Sequence, residues 1–148
     1  MGFSTVLIKQ ISTVFGLGYV PRIPGTAASL AAVLVFLFVR DDRAVAIIAL
    51  VSTVLGFAVA GKAEKLFQKK DAQCIVIDEF AGMMVSLLFI PAELKFVIPA
   101  FVLFRVMDIL KPFPAYRLQS LKGSFGIMLD DIVAAVYTNS LLRLFLIL

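Results

Sequence analysis

Five apolar runs, separated by short segments that contain charges, glycine or proline, fill most of this sequence. The runs cover residues 26–39, 44–60, 74–90, 96–110 and 132–148. Of the 148 residues, 61% are hydrophobic and only 16% are charged, a composition far from that of soluble domains. The sequence therefore predicts an all-α, polytopic membrane protein with about five apolar helices, in a single domain that covers residues 1–148.

The segments between the runs predict one more helix and several turns. Residues 2–15 have apolar side chains at roughly helical spacing and predict an N-terminal interfacial helix. Residues 16–26 are rich in glycine and proline and predict a loop, and residues 40–43 predict a tight charged turn. Residues 62–71 predict a basic loop. Residues 115–131 predict a polar connection that leads into the last run.

Lysine and arginine residues collect at one side of the predicted bundle. The residues on that side are Lys9, Arg22, Lys62, Lys65, Lys69, Lys70, Lys111, Arg117 and Lys122. The residues on the other side are Arg40, Arg43, Lys95 and Arg143. Because basic residues are enriched in cytoplasmic loops, this distribution predicts that the first side faces the cytoplasm.

Half of the acidic residues adjoin the apolar runs on this predicted cytoplasmic side. They are Asp78, Glu79, Asp108, Asp130 and Asp131. An ionised group that faces lipid is costly, so acids in such positions usually face a protein interior or a wet cavity and have a function. At about 1.5 Å of rise per residue, Asp78 is about 6 Å into its run and Asp108 is about 4.5 Å before Lys111. All five carboxylates can therefore share one depth.

A pocket of three to five carboxylates would repel itself unless cations neutralised it. The sequence contains no histidine and only one cysteine, Cys74, so oxygen atoms are the available ligands. Oxygen ligands alone favour a hard ion, Mg²⁺ or Mn²⁺, over zinc or copper. The acids therefore predict a magnesium site.

Basic side chains and one helix start surround the acids in the sequence. Backbone N–H groups at Gly25 and Thr26, where the first apolar run begins, can bind an anion. Basic side chains can take phosphate oxygens that a metal ion leaves free. Those near the acids are Arg105, Lys111, Arg117, Lys122 and Arg22. Together with the predicted cation, these groups indicate a phosphoryl site.

Each acidic group also has a purely structural interpretation. Residues 78–79 could be a membrane-interface pair that loop lysines neutralise. Arg105 and Asp108 are three residues apart and could form an ion pair within one helix. Residues 130–131 could cap the last helix, where acids complement the helix dipole.

The absence of histidine restricts the mechanism. A phosphatase that works through phosphohistidine is excluded, and the lack of an Asp-x-Asp pair argues against haloacid-dehalogenase chemistry. Metal-assisted attack by water remains, with a carboxylate as the group that takes the proton. A covalent aspartyl intermediate stays open as the alternative.

Four motifs, in this order along the chain, resemble those of the bacterial phosphatidylglycerophosphatase A family. They are residues 18–30 (GYVPRIPGTAASL), 77–83 (IDEFAGM), 104–114 (FRVMDILKPFP) and 123–134 (GSFGIMLDDIVA). The resemblance covers residues 16–137. It implies a Mg²⁺-dependent, multi-pass enzyme of the bacterial inner membrane whose active site faces the cytoplasm.

The implied reaction removes the terminal phosphate of phosphatidylglycerophosphate and gives phosphatidylglycerol and phosphate. The resemblance implies an acidic set for the metal and the water, in which we expect Asp78, Glu79 and Asp108 to be the metal ligands. We expect Asp130 and Asp131 to be catalytic. The expected phosphate-binding residues are Arg105, Lys111, Arg22, Gly25, Thr26 and Lys122. The expected partners are the lipid substrate and membrane lipids, with no nucleic acid and with oligomers possible.

Two other functions compete with this prediction. A phosphatidyltransferase of the CDP-alcohol type is also polytopic and metal-dependent, but it needs aspartates four apart on one helix, which the adjacent residues 130–131 do not supply. A small cation transporter with an acidic pore would distribute its acids across the bilayer depth. The acids of this chain cluster at one side instead.

Overall fold

The computed structural model describes residues 2–70 and 72–147, and in these residues the chain forms seven α-helices and no β-strand. The all-α prediction is therefore confirmed. The helices are α1 (Phe3–Ser12), α2 (Pro24–Val39), α3 (Asp42–Phe67), α4 (Ile77–Ser86), α5 (Leu94–Leu110), α6 (Ala115–Leu118) and α7 (Ser124–Ile147), and a 3-10 turn covers Leu17–Tyr19.

Two helices are long and apolar enough to cross a membrane, judged by length and composition. They are α3 and, within α7, the segment Ser124–Leu146. Helix α2 is apolar but shorter, with 16 residues. The predicted number of five apolar helices is not confirmed.

Helix α4 lies at the centre of the bundle and packs against α2, α3 and α7. Its Met83 is fully buried, together with Phe36 from α2 and Phe104 from α5. Gly82 permits this packing, because a side chain at that position would lie 2.7 Å from the Phe104 ring. The centre of the fold is thus a tightly packed apolar layer that fixes α4 in space.

Helix α4 is much shorter than the predicted run of residues 74–90. It covers Ile77–Ser86, which is about 15 Å at the usual rise and too short to cross a membrane. The side-chain amide of Asn139 on α7 donates to the carbonyl oxygens of Ser86 and Leu88, each at 2.9 Å. Because α7 satisfies these carbonyls, the chain can leave the helix inside the bundle.

Helix α3 is longer than the predicted run of residues 44–60. The Asp41 side chain caps its start by accepting a hydrogen bond of 2.8 Å from the Ala44 N–H. The helix continues to Phe67, through most of the predicted basic loop, and ends where Gln68 adopts a positive φ of 52°. The last residue of the predicted loop, Asp71, lies outside the described residues.

Helix α7 begins inside the predicted polar connection, so that prediction is wrong from Ser124 onward. Gly126 is buried at the start of the helix, and a side chain there would overlap the Leu121 carbonyl oxygen. The glycine therefore allows two chain segments to pack closely and does not end the helix. Asp130 and Asp131 lie in the second turn of α7, so the interpretation that they cap this helix is wrong.

The first turns of α2, α4 and α7 meet the last turn of α5 at one end of the bundle. A single cavity touches all four helices there. This end carries Gly25, Asp78, Asp108 and Asp130, which the sequence places at one depth. The direction of each helix thus brings acids from three separate helices to one place.

Candidate active site

A cavity of about 450 Å³ opens at this end of the bundle. Ten of the eleven predicted site residues line it. They are Arg22, Gly25, Thr26, Asp78, Glu79, Arg105, Asp108, Lys111, Asp130 and Asp131. Lys122 is not among the lining residues, and its predicted role in this site gains no support from the geometry.

Three carboxylates converge on the floor of the cavity. Asp78 and Glu79 come from the first turn of α4, and Asp131 comes from α7. Each offers an oxygen atom, and these three atoms lie within 4.8 Å of one another. Asp78 is only 8% exposed and Asp131 only 2%. The spacing suits one divalent cation with hard oxygen ligands.

The electrostatics of this group favour a bound cation. In the described part of the chain, no hydrogen-bond partner reaches Asp78 Oδ1, Glu79 Oε2 or Asp131 Oδ2, although all three atoms are buried. Burial and the neighbouring carboxylates of Glu79 and Asp131 raise the pKa of Asp78 well above its ordinary value. Burial raises the pKa of Glu79 to about 7, against the lowering effect of its hydrogen bond with Asp78. A bound cation would stabilise the ionised carboxylates and would bind the oxygen atoms that have no described hydrogen-bond partner.

Arg105 connects the three carboxylates to Asp108 on its own helix. Its Nη1 atom lies 2.6 Å from Asp108 Oδ2 and 3.9 Å from Glu79 Oε1. The predicted ion pair within one helix is therefore confirmed for Arg105 and Asp108. Asp108 pairs with Arg105 and also borders the carboxylate of Asp131, so it lies between the basic residues and the three converging carboxylates.

Lys111 forms a second ion pair, with Asp130 of α7. Its Nζ atom also lies 4.0 Å from Asp108 Oδ1, and Asp130 keeps one buried oxygen, Oδ1, without a described partner. Lys111 has a φ of 47°, directly after the end of α5. Burial lowers the pKa of Lys111, but the hydrogen bond and charge of Asp130, together with the charges of Asp131 and Asp108, raise this pKa above the ordinary value overall. Lys111 is therefore a fixed positive charge at the edge of the cavity.

The start of α2 supplies backbone donors to the same cavity. Pro24 occupies the first turn, no side chain caps the helix, and Ala27 N–H donates to Ile23 O. The N–H groups of Gly25 and Thr26 precede that bond and are not used within the helix. Because both residues line the cavity, the positive end of α2 faces it and favours an anion there.

Gly25 allows α2 to approach α4, and Gly25→Ala is expected to lower activity by about tenfold to hundredfold. A Cβ atom at this position would overlap Glu79 Oε1 and lie 3.3 Å from Arg105 Nη1. A shift of about 1 Å in a reacting group can cost about a hundredfold in rate. Phosphate release measures the effect. Gly2→Ala is the control, because a Cβ there meets nothing within 4 Å; equal activity of the two variants would contradict this prediction.

Sequence reasoning missed three residues that shape the cavity. Gln73 lines it from the segment before α4, and its only sequence signal is its position five residues before Asp78. Gly126 lines it at the start of α7, and Gly82 lets α4 approach the backbone of Asp131, whose carbonyl oxygen lies 3.2 Å from a Cβ built on Gly82. Glycines in apolar segments were the available signal, since they mark close approaches.

Comparison with known proteins gives matches along most of the chain. The phosphatidylglycerophosphatase A family matches residues 10–146. The phosphatidylglycerophosphatase A of Haemophilus influenzae is 36% identical over 88% of this chain and 83% of its own length. That of Escherichia coli is 33% identical over 86% of this chain and 77% of its own length.

A third relative carries a different name. A protein of Bacteroides thetaiotaomicron, with the provisional name phosphatidylinositol-3-phosphatase, is 35% identical over 86% of both chains. No solved structure matches this chain. The family match covers all four helices that build the cavity, including every carboxylate described above. The chain therefore belongs to the phosphatidylglycerophosphatase A family and is a phosphatase.

Proposed function

We propose that this phosphatase hydrolyses the terminal phosphate of phosphatidylglycerophosphate, with a magnesium ion as cofactor. The proposal rests mainly on one cavity that contains two kinds of charged group. Three carboxylates have buried oxygen atoms without a described hydrogen-bond partner, and two basic side chains, Arg105 and Lys111, are held by ion pairs. The names of two relatives support the substrate. The products are phosphatidylglycerol and inorganic phosphate.

The residues fit a hard divalent cation. Asp78, Glu79 and Asp131 offer oxygen atoms within 4.8 Å of one another, which matches the ligand preference of Mg²⁺. We assign these three as ligands and give Asp108, which is expected from the sequence to be a ligand, the task of holding Arg105. When bound, the ion would polarise the phosphoryl oxygens and balance their charge.

The other residues bind the phosphate and handle one proton. Arg105, Lys111 and the backbone N–H groups of Gly25 and Thr26 orient the phosphoryl oxygens. A water oxygen forms the new bond to phosphorus while the bond to the glycerol oxygen breaks, and that oxygen leaves with the proton that Asp130 takes from the water. The open Oδ1 of Asp130 is the acceptor we assign to the proton of the attacking water.

Two helices long enough to cross a membrane, in a family of lipid phosphatases, indicate membrane association. We propose a multi-pass protein of the bacterial inner membrane with the cavity at the cytoplasmic surface. The exposed apolar side chains of α2 and α3 support this, since Phe38 is 91% exposed and Leu50 is 65% exposed. The predicted cytoplasmic side carries most of the basic residues, and the cavity lies at the same end.

Chelation is the direct test of the cofactor. Phosphate release from phosphatidylglycerophosphate in detergent micelles is expected to fall to background in excess EDTA and to return when Mg²⁺ is added. The reason is that the buried carboxylates repel one another and the phosphate without a cation. Release that persists in EDTA would contradict the metal assignment. Ion flux in proteoliposomes without phosphate release would favour the transporter, and phosphatidyl transfer to an added alcohol would favour the transferase.

A second candidate substrate is a phosphorylated phosphatidylinositol, because one relative carries that provisional name. The phosphate-binding groups of the cavity do not distinguish glycerol from inositol, since Arg105 and Lys111 can bind any phosphomonoester. The same assay with both lipids separates the two candidates. We expect the larger kcat/KM with phosphatidylglycerophosphate.

A further inference from the structure

We infer that a group of lysines beside the active site binds the headgroup phosphate of an anionic phospholipid. This lysine cluster consists of Lys65, Lys69, Lys70 and Lys122. All four side chains are exposed and line one groove of about 630 Å³. The proposed function leaves this surface unused, and Lys122 is the predicted phosphate-binding residue that the active-site cavity does not include.

Shared lining residues place the groove of the lysine cluster near the active-site cavity. An intermediate groove of about 410 Å³ shares Gly126 and Ile127 with the active-site cavity. At its other end it shares Lys70 and Gly123 with the groove of the lysine cluster. The lysine cluster and the active-site cavity are therefore neighbours, with one groove between them. An anion at the lysine cluster would lie beside the active site.

The cluster lies where lipid headgroups would lie. Lys65 is in the last turn of α3, and Lys122 precedes the first residue of α7 by two positions. These are the two helices that are long enough to cross a membrane. A hydrogen bond of 2.7 Å from Gly61 N–H to Ser124 Oγ joins them at this end. The lysines are therefore held at one end of both helices, and the inference rests on the proposed membrane location.

The charge of the groove favours a phosphate group. Among the residues that the structure describes, four lysines line it against one carboxylate, that of Glu64. Lysine is a compact charge with three donors on a flexible stem, which suits a phosphodiester at the edge of a headgroup layer. Inorganic phosphate, a product of the proposed reaction, has the same chemistry. The lipid is the favoured ligand because the cluster is exposed and lies at the ends of both long helices.

The test uses the full chain in phosphatidylcholine nanodiscs that contain spin-labelled lipids. Electron paramagnetic resonance measures the fraction of labelled lipid that the protein immobilises. We expect spin-labelled phosphatidylglycerol to be preferred over spin-labelled phosphatidylcholine. The triple variant with Lys65→Gln, Lys69→Gln and Lys70→Gln is expected to lose this preference by about fivefold or more, since each lysine near an anionic surface contributes about a factor of five.

The control removes the same number of charges at the opposite end, with Arg40→Gln, Arg43→Gln and Lys95→Gln. It is expected to keep the preference, and circular dichroism checks that both triple variants are folded. Equal loss of preference in both triple variants would overturn the inference, as would an unchanged preference in the lysine variant. The changed side chains are exposed, and none lines the active-site cavity.

Two further measurements are needed. One distinguishes a lipid phosphate from free phosphate as the ligand, and the other distinguishes failure of this inference from failure of the proposed function. If millimolar inorganic phosphate binds the wild type but not the lysine variant while the lipid preference stays unchanged, the cluster is a site for free phosphate and the inference is wrong. Hydrolysis of a short-chain, water-soluble substrate is expected to be equal in the lysine variant and the wild type. A wild type that prefers anionic lipid but hydrolyses nothing would contradict the proposed function alone.

Discussion

Asp78→Asn is expected to lower kcat for phosphate release by about a hundredfold to a thousandfold, the range for loss of one preorganised charged group at a reacting centre. The change keeps the size of the side chain but removes one of three charges that converge within 4.8 Å. Binding of Mn²⁺, followed by electron paramagnetic resonance, is expected to weaken in parallel. Because this second readout requires no turnover, it separates metal binding from catalysis.

Glu93→Gln is the matched control for Asp78→Asn. Glu93 precedes α5 at the end of that helix opposite to Asp108, its side chain is 57% exposed, and its Oε2 lies 2.8 Å from Lys95 Nζ. An exposed pair of this kind contributes little to stability. The variant is expected to keep its activity within about twofold, as surface substitutions usually do. Full activity and unchanged Mn²⁺ affinity in Asp78→Asn would remove Asp78 from the ligand set.

The depth of the acids could be predicted from the sequence, but their pairing could not. Helix rise fixes how far a residue lies along a helix, so the sequence predicts correctly that Asp78, Asp108 and Asp131 lie at one end of the bundle. The rotation of each helix about its axis decides which carboxylates meet, and packing sets that rotation. Asp108 therefore pairs with Arg105 and borders Asp131, while Asp131 also meets Asp78 and Glu79.

Two helix boundaries depended on contacts that are distant in sequence. The run of residues 74–90 is apolar throughout, yet α4 ends after Ser86 because Asn139 satisfies the carbonyls where the chain leaves the helix. The segment of residues 123–126 has the composition of a turn, yet Gly126 lies inside α7. The residue is a glycine because a side chain there would overlap the Leu121 carbonyl oxygen. Local patterns predict that an apolar helix exists, but tertiary contacts decide where it begins and ends.

Lys111→Met is expected to lower kcat/KM by about a hundredfold to a thousandfold and also to destabilise the fold by up to about 3 kcal/mol. The catalytic loss follows because Lys111 is one of the two fixed cations that face the phosphate. The stability loss follows because Asp130, which is only 4% exposed, would keep a buried charge without its partner. Phosphate release measures the first effect, and unfolding in mixed micelles with increasing denaturing detergent measures the second.

The double variant Lys111→Met with Asp130→Asn separates these two effects. Neutralising Asp130 removes the unpaired charge, so the double variant is expected to regain most of the lost stability. Its activity is expected to stay low, because both the phosphate-binding cation and the proposed proton acceptor are absent. If activity returned together with stability, Lys111 would act only by holding α5 against α7. Recovery of stability without activity would place Lys111 and Asp130 within the catalytic machinery, because their contribution to activity would then be separate from their contribution to stability.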